Sequence, residues 1–156
     1  MRRPQVHVAA ARSRRGQREN AEFVAITQLV QDWNSIAPWL IESLFSDELY
    51  RRAFLAIAAA RGDLGAALQQ ADPEAREVLE RAAVVDLEVD AEVEARNLIA
   101  AAVRRELASV ARLVDPVVER EDRDAQLRLQ DLEAPEHAAA AAEWLLVWLT
   151  SRTEGR

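Results

Sequence analysis

From position 20 onward apolar residues recur at spacings of three and four, the period of a helix with one face turned to a core. Asn20 is a good N-cap, and behind it Phe23, Ile26, Leu29 and Val30 fall on one face, which predicts a helix to about Gln31. Asp32, Asn34 and Ser35 then form a polar break. Pro38 suits the first turn of a short second helix carrying Trp39, Leu40 and Leu44. Ser46 and Asp47 can cap a third, with Leu49, Ala53, Phe54 and Ile57 inward and Gly62 where a left-handed residue closes it. Asp63 caps a short fourth helix with Leu64, Ala67 and Leu68 inward. Asp72-Pro73-Glu74 supplies a cap, a pre-set first residue and an acid at the positive dipole end, opening a fifth with Val78, Leu79 and Ala82 inward.

The segment Val84 to Asp90 alternates as a strand would, but a lone strand has nothing to pair with. It is therefore expected as an extended connector, with Val84, Val85 and Leu87 reaching the core. Asp90 caps the longest element, whose stripe of Val93, Ile99, Val103, Leu107, Val110 and Val114 covers about seven turns before Asp115-Pro116. Proline removes a helical hydrogen bond, so Pro116 should end or kink that helix. Val117 to Leu132 continues as a charged helix with few apolar anchors. Pro135 starts a last helix, in which the alanine run Ala138 to Ala142 has high intrinsic propensity and Trp144, Leu145, Trp148 and Leu149 make the apolar face. The expected fold is all-α: a short-helix bundle subdomain over 20–89, joined over 90–151 by a long helix to a C-terminal helical hairpin. Residues 1–19, arginine-rich and without apolar period, are expected as a disordered tail or linker, and 152–156 as a short tail.

Charge sharpens this picture. The net value is −7, yet six of the 20 basic residues precede Glu19, leaving 14 against 27 acids, or −13, from there on. So acidic a body repels phosphate backbones, which argues against direct nucleic-acid binding by the folded part. The basic start suits a solvated leader, a nucleic-acid arm or an organelle-targeting peptide. All basic residues are arginine, a mark of GC-rich coding that the abundant alanine shares. There is no cysteine, hence no disulfide or thiolate metal site, and no run of about 20 apolar residues. A cytoplasmic protein with no membrane role is the expectation.

Candidate chemistry is sparse. His7 lies in the tail and His137 in the first turn of the last helix, so neither supports a metal or catalytic site. The four glycines are isolated, and none forms a phosphate loop between strand and helix. Asp122-Arg123-Asp124 offers paired acids, but they sit in a run of alternating charge from Glu119 that reads as a solvated helix face. Asp86, Glu88 and Asp90 read the same way. No catalytic, metal or cofactor-binding residue is expected, and the chain is expected not to be an enzyme. The four tryptophans form two pairs: Trp33 and Trp39, read as core, and Trp144 and Trp148, four apart on the last helix. A terminal hairpin has little core of its own, so Trp144, Leu145, Trp148 and Leu149 are the candidate partner-binding residues.

Several stretches taken in order carry a family resemblance: Leu44-Phe45, then Tyr50-Arg51-Arg52-Ala53-Phe54, Asp72-Pro73-Glu74-Ala75, Val78-Leu79-Glu80-Arg81, and Leu98-Ile99 with Arg104-Arg105-Glu106-Leu107. In this order they resemble the C-terminal helicase-binding domain of bacterial DNA primase, the DnaG type, in a GC-rich actinobacterial version. The resemblance spans nearly the whole body and rests on helical, apolar motifs. It implies a docking domain whose hairpin binds the hexameric replicative DNA helicase of the DnaB type and couples primer synthesis to the replication fork. It also implies that this chain synthesises no primer, because the primase's zinc-binding region and polymerase core have no counterpart in this sequence. The arginine-rich leader and Pro116 depart from the family's pattern. Two alternatives stand beside it: the N-terminal domain of a replicative helicase, which the primase domain resembles in fold, and a free-standing helical regulator dimerising through the Trp144 and Trp148 face.

Overall fold

The structure, a computed structural model, describes residues 21–109 and 116–154. Its regular elements are all helical, with no strand among the described residues, so the all-α expectation holds. The first helix, α1, is described over 21–31; Ile26 and Leu29 are fully buried, with Phe23 and Val30 at the edge of the core. Its proposed cap, Asn20, lies outside the described residues. Glu22 of α1 is buried as well, and its carboxylate accepts from the Ser46 hydroxyl (2.9 Å) and the Asp47 N–H (3.1 Å). Both carboxylate oxygens are thus partnered, as burying a charge requires.

The second helix differs from its expected form. One turn, α2 (Trp33–Ile36), takes in Asn34 and Ser35, and Pro38 sits in a 3-10 turn, Ala37–Trp39. The chain extends at Leu40 and Ile41, then turns again over Glu42–Leu44. Pro38 has no N–H and crowds the residue before it, so a tight turn suits it better than the middle of a longer helix. Ile36, Leu40, Leu44 and Phe45 still reach the core.

Three aspartate caps then set three helices. Asp47 accepts from the Leu49 N–H (2.8 Å) to start α3 (Glu48–Ala59), and Asp63 from that of Ala66 (3.2 Å) to start α4 (Leu64–Gln70). Asp72 accepts from Glu74 and Ala75 to start α5 (Pro73–Val84). Between α3 and α4 the chain turns through Arg61 and Gly62, whose φ values of 52° and 87° are both left-handed. Gln31 of α1 donates to the carbonyls of Ala82 (2.9 Å) and Val85 (2.7 Å), tying the ends of α1 and α5 together.

The connector 85–90 is irregular, as expected, and Val85 and Leu87 are half-buried. Val84 is not a core plug. It is 82% exposed, because the inward face of α5 is made by Ala75, Val78, Leu79 and Ala82. Asp90 accepts from the Glu92 and Val93 N–H groups at the start of α6 (Ala91–Ser109). The buried stripe of α6 is Ala95, Leu98, Ile99, Ala102 and Val103, which leaves the expected Val93 exposed one turn early. Val110, Val114 and Asp115 lie outside the described residues. Pro116 is the first residue of α7 (Pro116–Leu132), a position that needs no N–H. A turn at 133–134 leads to α8 (Pro135–Glu154), again opened by proline. The α7–α8 hairpin packs against α6, and α8 also meets both 3-10 turns. One buried cluster runs from Ala25 to Leu149, so the bundle and the hairpin share a core.

Candidate partner-docking site

The four residues expected to bind a partner do not share one fate. Leu145 and Leu149 are in the core, and Trp148 is 6% exposed; only Trp144 of the four is half-buried. The expectation of an open apolar face is corrected for those three. The hairpin does not stand alone, since α8 lies on α6 and on the two 3-10 turns, and these supply the core that two helices by themselves would lack.

Trp148 is held by charge as well as by packing. Arg152, one turn on, lies over its indole with Cζ 4.8 Å from the ring centroid. The same guanidinium donates to Asp122 at 2.6 Å and approaches Glu121 at 3.5 Å across the hairpin. Asp122, expected on a solvated face, is instead mostly covered, with 20% of its side chain exposed against 13% for Arg152. Asp124, its neighbour on the outer face, stays exposed. Trp144 carries a similar cap, Arg128 from α7 at 5.5 Å. The Trp148 Nε1–H is buried without an acceptor among the described residues.

What remains open on this side of the molecule is a groove. Between α8 and the turn that carries Pro38 and Trp39 lies a cavity of about 830 Å³, whose apolar walls are Trp39, Ile41, Leu146 and Val147. A smaller one of about 580 Å³, over Trp144 and Trp148, flanks α8 on the side facing α7. The two share Glu143, Val147 and Ser151, which follow one another at four-residue spacing and form the ridge between them. Val147 on that ridge is 67% exposed. Sequence reasoning missed it because it stands off the stripe of Leu145, Trp148 and Leu149. A signal was present: an isolated valine between Glu143 and Ser151 on an otherwise polar line of the helix.

Trp33 and Trp39, expected in the core, are half-buried at its edge. Trp39 faces the groove, while Trp33 covers Gly62. His137 is exposed, and its N–H donates to the Ala134 carbonyl at the start of α8; His7 lies outside the described residues. Among the described residues no group of three or more histidines or acids could hold a metal ion, and no helix is long and apolar enough to cross a membrane.

Comparison with known proteins finds no match among family models, curated proteins or solved structures. The functional reading therefore rests on the residues and their arrangement.

Proposed function

We propose that this chain is a protein-docking domain, and specifically the part of a bacterial DNA primase that binds the hexameric replicative helicase and brings primer synthesis to the fork. The observation that carries it is the pair of grooves on either side of the Glu143, Val147 and Ser151 ridge of α8, where exposed Val147 and the Trp39, Ile41 and Leu146 walls offer a partner shape and some apolar surface together. The ordered motifs from Leu44-Phe45 to Arg104-Arg105-Glu106-Leu107 supply the choice of partner through their resemblance to the primase domain. A bundle joined by the long α6 to the α7–α8 hairpin agrees with that domain's expected plan. On this reading the chain itself carries out no nucleotidyl transfer, and the polymerase chemistry belongs to the parent protein.

The test is a fluorescence-anisotropy titration of the labelled chain with the replicative helicase of the same organism. Saturable binding with Kd of about 1 μM or tighter is expected. No saturation up to about 100 μM, roughly 2.7 kcal/mol weaker, would remove the helicase from consideration.

A further inference from the structure

The groove between α8 and the Trp39 turn combines apolar walls with charge of one sign. Glu143 and Glu154 are the charged side chains that line it, and no arginine does so among the described residues. They belong to a chain that holds 27 acids against 14 arginines from Glu19 on. From Ala139 to Glu154 the groove follows about four turns of α8, roughly 22 Å at the rise of a helix. We infer that it receives an amphipathic helix of the partner protein, with an apolar stripe at three-and-four spacing against Trp39 and Val147 and with arginines or lysines flanking that stripe to meet Glu143 and Glu154. The inference deepens the docking reading above and rests on it.

Length and shape select a helix. Small side chains at Ala139 and Ala142 let a backbone come close at one end, while Trp39 and Leu146 wall the groove further along. Charge selects a basic one. A second copy of this chain fits poorly, because pairing two such grooves would bring Glu143 and Glu154 of each copy toward those of the other, and like charges set face to face discriminate against a partner.

Val147 gives a clean handle, since its exposure means that altering it takes nothing from the core. The probe is a helical peptide about 18 residues long, enough for four turns, with leucines at three-and-four spacing flanked by arginines; its control carries glutamates in place of the arginines. Titrated with the full chain, the arginine peptide should bind saturably. Val147→Glu and Glu143→Arg should each weaken it at least about tenfold, with melting temperature and circular dichroism unchanged. Leu127→Glu, at an exposed apolar position on α7 that does not line the groove, should leave binding as it was. Equal affinity for the wild type and Val147→Glu, or equal binding of the glutamate peptide, overturns the inference. So does sedimentation in which the chain dimerises and Val147→Glu does not, which would give the groove to a second copy. Helicase binding that is indifferent to Val147→Glu defeats the groove alone; peptide binding without helicase binding defeats only the choice of helicase.

Discussion

Gly62 illustrates how much one residue without a side chain can decide. Its φ of +87° lies where L-residues rarely go, and a Cβ there would stand 2.5 Å from Cγ of Trp33. Gly62→Ala should therefore cost about 1 to 3 kcal/mol, read as a lower midpoint in urea unfolding. Gly65 is a matched contrast. It sits early in α4 at ordinary φ, and a Cβ would meet nothing closer than 3.5 Å, at the Asp63 carboxylate. Gly65→Ala should raise stability by about 0.4 to 1 kcal/mol, because the unfolded chain loses freedom while the fold loses no contact. Gly62 could be read from sequence because a glycine after an apolar stripe marks a helix end. Its closeness to Trp33 could not, since that contact spans two helices and depends on how they pack. The same limit applies to Glu22: four before Ile26 and seven before Leu29 it falls on the inward face, but its partners Ser46 and Asp47 come from the start of α3 and no local pattern names them.

Helix starts were the most legible elements, because a cap is a local bond between an aspartate and an N–H two or three residues on. Asp47, Asp63, Asp72 and Asp90 all cap as their positions suggested. The stretch from Trp33 to Leu44 was less so: its turns are set by where Ile36, Leu40 and Leu44 must land in the core, which overrides local preference. Asp72 also lends itself to a pH test. The Ala75 N–H, followed by Arg52 at 2.8 Å, holds its carboxyl below the usual carboxylate range. A lowered folded-state pKa adds stability above the unfolded value near 3.8, and that stability is lost as pH falls through the lowered folded value. Asp72→Asn keeps a capping oxygen but cannot titrate, so the stability difference between wild type and variant should shrink as pH is lowered from about 6 to 3. A difference constant over that interval would refute the assignment. The hairpin's latch makes a second prediction at this scale. Arg152→Ala removes the bond to Asp122 and the cover over Trp148, and should cost about 1 to 3 kcal/mol, with faster amide exchange in the last two turns of α8 than elsewhere.

At the scale of the whole molecule the decisive fact is that the apolar face of α8 is spent on the chain's own core. Sequence could rank Trp144, Leu145, Trp148 and Leu149 as an apolar face but could not say what covers it, since α6 and the 3-10 turns come from 35 to more than 100 residues earlier. Once covered, that face joins the buried cluster that also contains Ile26, Ile57, Leu79 and Ile99, so the bundle and hairpin should not unfold separately. Trp148→Ala tests this directly. Truncating a buried tryptophan typically costs about 3 to 5 kcal/mol, a large part of the 5 to 15 kcal/mol that holds a domain of this size together. With a shared core, the loss should appear everywhere at once. Far-ultraviolet circular dichroism and the fluorescence of the remaining tryptophans should shift together to the same lower midpoint, and binding of the proposed helicase partner, measured well below that midpoint, should fall less than for Val147→Glu. Two separate transitions, with the bundle melting as in the wild type, would mean that the hairpin folds by itself. Trp148 would then belong to a face free to serve a partner.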